Sequence, residues 1–224
     1  MKFSYIDRKK EKVLVLLPGW GTDSRVFSQL DLEYNYLFPD KIEIKNFTIN
    51  LRNAVIDIGE RADILGWSLG GILAAQFMAC NHGLADKAFF VAIKERYTHE
   101  EISGMKKLLI KNSKLYLEFF YNRCLNGHSD SDAEWFHNIS SGYKFDIDEL
   151  VAQLDFLEAS SFPIEELKNI SKKIIFINGA KDAIIPPNNI NGLKNIFKES
   201  IFYKINNTGH ISFLHSDFKK IVRA

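Results

Sequence analysis

The residues most able to carry out chemistry lie in a short stretch around Ser68. The apolar run Ile64-Leu65 leads into Gly66-Trp67-Ser68-Leu69-Gly70, and a helical pattern of small and apolar residues follows at once. A strand that turns sharply into a helix at Gly-x-Ser-x-Gly exposes the serine hydroxyl as a nucleophile. The two glycines suit such a turn because they place no side chain against it. We therefore predict that Ser68 is a catalytic nucleophile. The alternative is a glycine-rich corner with an incidental serine.

A serine hydroxyl needs a base to take its proton, and that base is usually a histidine oriented by a buried carboxylate. Asp182 follows the apolar run 174–177, and His210 follows the run 201–205. The order serine, acid, histidine along the chain is one that catalytic triads adopt. The carboxyl ends of strands in an open α/β sheet share one edge, so the loops that carry these residues can meet there. We predict a triad of Ser68, Asp182 and His210.

Each partner has competitors. Asp182 could be an ordinary turn aspartate, and Asp155 is a second candidate acid, although it lies in a helical pattern. His215, five residues beyond His210, is a second candidate base. The other four histidines lie in polar or helical contexts and are predicted to be surface residues: His82, His99, His128 and His137.

An attack on a carbonyl also needs backbone N–H groups aimed at the developing negative charge. One donor is expected to be the N–H of Leu69, directly after the nucleophile, and the other should come from the loop after the first buried strand. That loop is Gly19-Trp20-Gly21, so Trp20 is the second candidate. The alternative is that Trp20 is only a core tryptophan.

The elements that position these residues alternate along the chain. Strand patterns cover residues 2–6, 13–17, 36–39, 63–66, 88–92, 173–177 and 201–205, and helical patterns cover 24–30, 49–60, 70–81 and 189–197. Such alternation predicts an α/β protein with a mostly parallel sheet flanked by helices. We assign residues 1–93 and 163–224 to this core and 94–162, which have only helical periodicity, to a helical lid inserted in it. The segment after His210 leaves little room for a full final helix.

Composition limits the alternatives. A chain of 224 residues fits one domain with an insertion, and its net charge of +1 argues against a nucleic-acid binder. Cys80 and Cys124 allow at most one disulfide and form no metal-ligand cluster, so we expect reduced cysteines and a cytoplasmic location. The first ten residues hold no apolar stretch long enough for a signal peptide, and no run approaches a membrane span. The 18 Phe and 8 Tyr residues indicate a core, and a pocket, lined with rings.

Taken together, four motifs resemble the α/β-hydrolase superfamily: Pro18-Gly19-Trp20-Gly21 after a strand, Gly66-Trp67-Ser68-Leu69-Gly70-Gly71, Gly179-x-x-Asp182-x-x-x-Pro186, and Gly209-His210. The pairing of Gly-Trp-Gly with Gly-Trp-Ser-Leu-Gly-Gly further resembles the pimeloyl-[acyl-carrier protein] methyl ester esterases of biotin synthesis. This resemblance implies the α/β-hydrolase fold, the triad named above, and Trp20 and Leu69 as the oxyanion pair. It covers most of the chain in order, but the inserted helices match only in type. Pro18 stands where those esterases commonly have histidine.

The helical insertion has an uneven charge. Residues 105–123 carry four lysines and one arginine against a single acid, whereas acids predominate from 130 to 158. Lys107, Lys111 and Lys114 are spaced four and three apart, so they are predicted to share one helix face. The resemblance implies that such basic lid residues, with Arg123, dock an acidic acyl-carrier protein. The alternative is an ordinary solvated face rich in lysine.

The sequence thus predicts a serine carboxylesterase that hydrolyses the methyl ester of pimeloyl-[acyl-carrier protein] and needs no metal or organic cofactor. A general short-chain carboxylesterase or a thioesterase would use the same motifs. A hydrolase fold that binds without catalysis is an alternative of a different class. We expect a monomer whose partner is the acyl-carrier protein, with neither nucleic acid nor membrane as a partner.

Overall fold

Seven strands form one sheet in the computed structural model, which describes residues 1–59 and 61–223. The strands are β1 (Phe3–Ile6), β2 (Val13–Leu17), β3 (Asn35–Pro39), β4 (Ala62–Trp67), β5 (Ala85–Val91), β6 (Ile174–Gly179) and β7 (Ile201–Ile205). Their order across the sheet is β1-β3-β2-β4-β5-β6-β7. β1 runs antiparallel to β3, and all the other neighbours are parallel. The predicted mostly parallel sheet is confirmed.

The central strands are continuous apolar runs because both of their faces are covered. Every residue of β2, β4 and β6 is buried, whereas only Ile205 is buried in the edge strand β7. The register pairs Leu17 with Gly66, Trp67 with Val91, and Gly179 with Ile205. These pairs bring the carboxyl ends of β2, β4, β5, β6 and β7 to one edge of the sheet.

Helices cover both the sheet and its carboxyl edge. They are α1 (Phe47–Asp57), α2 (Leu69–Asn81), α3 (His99–Lys111), α4 (Ser113–Cys124), α5 (Asp130–Ser140), α6 (Ile147–Ala159), α7 (Ile164–Leu167), α8 (Asn191–Ile196) and α9 (Ser216–Arg223). Short 3₁₀ turns occupy Ser24–Phe27, Lys168–Lys173, Pro187–Ile190 and Ser212–Leu214. α3 to α6 lie between β5 and β6 in the chain, where the helical insertion is predicted.

Several predicted elements differ in extent. The helix predicted over 24–30 is only a 3₁₀ turn, Ser24–Phe27. The helix predicted over 49–60 is α1, which begins earlier and ends at Asp57; the predicted end, Glu60, lies outside the described residues. The final segment does form a helix, α9, because Phe218 and Val222 on one of its faces are buried against the core.

The prediction of one basic helix face is wrong. α3 ends at Lys111 and α4 begins at Ser113, so Lys107 and Lys111 lie on a different helix from Lys114 and Arg123. Asn112 causes the break: it has extended backbone angles, and its side chain accepts a hydrogen bond from the Leu115 N–H as an N-cap. A side chain that caps a new helix competes with continuation of the old one. All four basic residues are nevertheless exposed.

Candidate active site

Ser68 occupies the turn between β4 and α2 with a strained backbone. Its φ of 54° and ψ of −115° lie in a region that non-glycine residues rarely adopt. Its N–H donates to the Val91 carbonyl at 2.9 Å, which fastens the turn to β5. A Cβ atom on Gly66 would lie 2.3 Å from the Gly70 carbonyl oxygen, and one on Gly70 would lie 2.1 Å from the Leu17 carbonyl oxygen. Both positions therefore require glycine. Strain of about 1–3 kcal/mol at one residue is typical of functional sites.

Asp182 and His210 meet at the same edge of the sheet. His210 Nδ1 and Asp182 Oδ2 are 2.8 Å apart, and both side chains are 0% exposed. The other carboxylate oxygen, Oδ1, accepts the N–H groups of Ile184 and Ile185, each at 2.8 Å. Trp67, the last residue of β4, supports the histidine backbone, since its indole Nε1 donates to the His210 carbonyl at 2.9 Å. Two backbone N–H groups thus hold one oxygen of the Asp182 carboxylate, and the other oxygen faces the imidazole.

The second nitrogen of His210 remains available. His210 Nε2 is buried and has no hydrogen-bond partner among the described residues. A carboxylate at Nδ1 favours the tautomer with the proton on Nδ1, which leaves Nε2 as the basic nitrogen. Ser68 is buried too, with only 5% of its surface exposed. A low-dielectric site of this kind strengthens electrostatic interactions with a bound substrate.

The competing acid and base are occupied elsewhere. Asp155 lies on α6, where it forms an ion pair with Lys106 of α3, and its side chain is 58% exposed. His215 is partly exposed, and its Nδ1 accepts the Asp217 N–H at 3.2 Å. Neither residue has the buried carboxylate–imidazole contact that Asp182 and His210 share.

The two candidate oxyanion donors follow neighbouring strands of the sheet: Trp20 follows β2, and Leu69 follows β4. Leu69 is the first residue of α2, so its N–H has no acceptor within the helix. Trp20 lies in the turn after β2, and its N–H likewise finds no backbone acceptor among the described residues. The Trp20 indole is buried; it donates to the Leu150 carbonyl of α6 at 3.0 Å and meets the Phe120 ring edge-on at 5.0 Å. The side chain is thus part of the core, as the alternative interpretation holds, while the backbone N–H stays free.

Two buried residues in the loop after β5 are not predicted from the sequence: Tyr97, near Ser68, and Lys94, whose ammonium group lies 4.5 Å from the centroid of the Tyr97 ring. Tyr97 and Lys94 follow β5 and are 8% and 7% exposed. Burial raises the pKa of Tyr97, and the nearby Ser68 hydroxyl opposes part of that rise. The two hydroxyls do not reach hydrogen-bond geometry, so Tyr97 Oη is buried without a partner. The rule that sites form at strand ends could have pointed to this loop, but no motif marks it.

The prediction that His128 lies on the surface is wrong. Its side chain is 2% exposed, and its Nε2 accepts the Gly209 N–H at 3.1 Å and lies 3.0 Å from Thr208 Oγ1. Burial lowers its pKa, against a smaller opposing effect of the Asp132 carboxylate. His128 folds inward because Gly209, one residue before the candidate base, has a buried N–H that needs an acceptor.

Residues 123–128, at the end of α4 and in the turn that follows, hold the loops of both triad partners; we call them the anchor segment. The His210 N–H donates to the Cys124 carbonyl at 3.0 Å. Asn126 Nδ2 donates to the Lys181 carbonyl at 2.7 Å, and Arg123 donates to the Ala183 carbonyl. With His128, these contacts fix the backbone on both sides of Asp182 and the backbone at Gly209 and His210. Arg123, predicted as a docking residue, therefore donates a hydrogen bond to the loop that carries Asp182.

A cavity of about 1070 Å³ opens between α4, α5 and α6. Leu117, Tyr121 and Phe145 line it together with charged side chains of both signs: Lys114, Lys144, Glu118 and Asp146. Two contacts join its walls to the oxyanion loop: Tyr121 Oη donates to the Gly21 carbonyl, and the Trp20 indole donates to the Leu150 carbonyl. Its described lining does not include Ser68, Asp182 or His210.

Solved structures with the same fold cover nearly the whole chain. An esterase from Exiguobacterium antarcticum matches with a TM-score of 0.81 and 16% identity over 99% of this chain and 93% of that one. An α/β-hydrolase enzyme from a Medee basin deep-sea metagenome library matches with a TM-score of 0.79 and 17% identity over 99% and 92%. A bromoperoxidase from Bacillus anthracis matches with a TM-score of 0.79 and 15% identity over 99% and 93%.

The chain therefore has the α/β-hydrolase fold, with Ser68, Asp182 and His210 on loops at the carboxyl edge of its sheet. A scan against protein families and a search of curated proteins each gave no match. Within residues 1–59 and 61–223, no group of three or more His, Cys, Asp or Glu side chains is arranged to hold a metal ion. No helix in this described part combines the length and apolarity needed to cross a membrane.

Proposed function

We propose that this chain is a serine hydrolase that cleaves carboxylic esters, with Ser68, His210 and Asp182 as its catalytic triad. The observation that carries the proposal is the 2.8 Å contact between His210 Nδ1 and Asp182 Oδ2, with Nε2 of the same ring buried and unpartnered. An imidazole held at one nitrogen and free at the other is equipped to act as a general base. The strained turn at Ser68 supplies the nucleophile on the same edge.

The reaction proceeds in two steps. Ser68 Oγ attacks the ester carbonyl carbon while His210 Nε2 takes its proton, and Asp182 stabilises the resulting imidazolium. The N–H groups of Leu69 and Trp20 donate to the oxygen that becomes negative. The carbon–oxygen bond to the alcohol then breaks, and His210 returns the proton to the leaving oxygen. Water, activated by the same histidine, releases the acid from Ser68.

Hydrolysis of p-nitrophenyl butyrate tests the mechanism. We expect Ser68→Ala and His210→Ala to lower kcat by about 10³-fold to 10⁶-fold. His215→Ala is the matched control, because this histidine lies five residues away and outside the triad, and it should keep wild-type turnover. A fluorophosphonate probe should label the wild type but not Ser68→Ala. Equal turnover by the wild type and Ser68→Ala would overturn the proposal.

For the substrate, we propose the methyl ester of a pimeloyl chain carried by acyl-carrier protein. The support is the resemblance in Gly19-Trp20-Gly21 and the Ser68 motif. The exposed Lys107, Lys111 and Lys114 carry charge complementary to an acidic carrier. The proposed setting is the cytoplasm, where biotin synthesis supplies such an ester.

Growth of a biotin-requiring strain that lacks its own esterase tests this substrate. Rescue by the wild type but not by Ser68→Ala would support it. Rescue by neither, with active purified enzyme, would leave a general esterase of another substrate range. A panel of butyrate oxygen esters and thioesters with the same acyl group then separates an esterase from a thioesterase.

A further inference from the structure

The Tyr97 hydroxyl is a buried polar group that makes no hydrogen bond among the described residues, although the Ser68 hydroxyl is near it. Tyr97 is 8% exposed, and its Oη has no hydrogen-bond partner among the described residues. An unmet buried hydroxyl costs about 1–3 kcal/mol, and such groups call for a specific explanation. Tyr97 lies in the loop after β5, and Ser68 lies in the turn after the neighbouring strand β4; the Ser68 hydroxyl offsets part of the rise in the pKa of Tyr97. Burial is the larger influence and raises that pKa, so Tyr97 is a neutral donor at physiological pH.

The ring of Tyr97 is held in place by its surroundings. Lys94 Nζ lies 4.5 Å from the ring centroid, and Lys94 is in turn paired with Glu101. Glu101 is the third residue of α3, where it forms a capping box with Thr98, the residue after Tyr97. A side chain fixed by its neighbours while its polar atom stays free is arranged in advance for a ligand.

The sheet order places the loop that carries Tyr97 on the same side of β4 as the loop that carries His210. Tyr97 follows β5 and His210 follows β7, and both strands lie on the same side of β4. Trp20 follows β2, on the opposite side of β4. An oxyanion bound between Trp20 and Leu69 therefore points away from Tyr97. The leaving oxygen points toward the histidine that protonates it, which is the side of Tyr97.

We propose that Tyr97 is a further catalytic residue, whose hydroxyl donates a hydrogen bond to the leaving-group oxygen of the ester. The inference rests on the proposed esterase function. During acylation the bond between Ser68 Oγ and the carbonyl carbon forms, and the bond from that carbon to the alcohol oxygen breaks. The proton on His210 Nε2 moves to the alcohol oxygen. Tyr97 keeps its own proton and stabilises the negative charge that this oxygen acquires as the bond breaks.

Two esters with one acyl group test this role. Methyl butyrate has a poor leaving group that needs stabilisation, whereas p-nitrophenolate in p-nitrophenyl butyrate leaves without it. The ratio kcat/KM reports only the steps up to and including acylation, in which the alcohol leaves. Because the two esters share one acyl group, a difference between their kcat/KM values reflects the leaving group. We expect Tyr97→Phe to lower kcat/KM about tenfold for methyl butyrate and less than about twofold for p-nitrophenyl butyrate, since one lost hydrogen bond has an effect of this order.

Tyr34→Phe is the matched control. Tyr34 is also buried, but its Oη donates to Asp63 Oδ2 at 2.7 Å, at the amino end of β4 and thus at the opposite end of that strand from Ser68. It should lower Tm and leave the ratio of the two esters unchanged, whereas Tyr97→Phe should change the ratio without lowering Tm. An unchanged ratio in Tyr97→Phe, with active wild-type enzyme, would overturn this inference alone. No turnover of either ester by the wild type would overturn the proposed function and this inference together.

Discussion

The helical insertion has two regions with opposite surroundings. The anchor segment, residues 123–128, turns its polar groups inward onto the loops of Asp182 and His210. The α3–α4 corner, residues 107–119, turns large apolar side chains outward: Leu108, Ile110, Leu115 and Phe119 are 48%, 67%, 62% and 52% exposed. The anchor segment thus fixes the geometry of the site, whereas the α3–α4 corner presents a surface that a partner outside the chain can contact. Substitutions in the two regions should therefore separate catalysis and stability from recognition.

The contacts around the anchored loops predict the largest effect at Asp182. We expect Asp182→Asn to lower kcat for p-nitrophenyl butyrate by about 10⁴-fold, because an amide in place of the carboxylate favours the wrong tautomer of His210. Asp155→Asn is the matched control; this exposed carboxylate pairs with Lys106, and the variant should keep activity within about twofold, as surface substitutions usually do. Comparable losses of activity in both variants would contradict the assignment of Asp182 as the acid of the triad.

Within the anchor segment, His128→Ala should have the next largest effect. It removes the acceptor of the buried Gly209 N–H, so the free energy of unfolding should fall by about 1–3 kcal/mol. Activity should fall as well, since Gly209 directly precedes His210. Urea unfolding and kcat on one preparation measure both quantities. His82→Ala, at an exposed position after α2, is the control and should change neither. A His128→Ala variant as stable and active as the wild type would remove the distinction between the two regions.

The same histidine gives the anchor segment a dependence on pH. Burial lowers the pKa of folded His128, so between that value and its ordinary 6.5 the unfolded chain binds more protons than the folded one. Stability from this group is therefore complete above about pH 6.5 and is lost as the pH falls below it. The charged groups near the ring are Asp132, Asp182 and His215, of which the two carboxylates oppose the shift.

Unfolding by urea between pH 8 and pH 5 checks this dependence. His128→Gln cannot titrate, so the difference in unfolding free energy between the wild type and this variant isolates the contribution of the histidine. We expect the difference to move against the wild type as the pH falls. A difference that is constant over this range would mean that His128 titrates alike in the folded and unfolded chain.

The comparison also explains what could be predicted from the sequence. The strands and the turn at Ser68 can be predicted from the sequence, because apolar runs and obligatory glycines are local signals. The meeting of Asp182 and His210 can be predicted because each follows an apolar strand, in the chain order of a triad, and strand ends share one edge of the sheet. The break at Asn112 cannot, because a capping side chain overrides a spacing that otherwise fits one helix. The burial of His128 and the unmet hydroxyl of Tyr97 depend on tertiary contacts with Gly209 and Ser68 that no local pattern encodes.

The smallest effects are expected at the corner. Reversing the charges of Lys107, Lys111 and Lys114 to Glu should change the free energy of unfolding by less than about 0.5 kcal/mol per position, because all three side chains are exposed. Turnover of p-nitrophenyl butyrate should not change. For an ester presented on acyl-carrier protein, kcat/KM should fall about threefold to tenfold at low salt, and the difference should shrink as salt screens the charges.

The break at Asn112 adds a sharper expectation. Lys107 and Lys111 share α3, so the effects of reversing these two charges on kcat/KM should be coupled, whereas the effect of reversing Lys114 on α4 should be independent of them. Loss of activity toward the small ester in the triple variant would mean that the corner, like the anchor segment, supports the site itself.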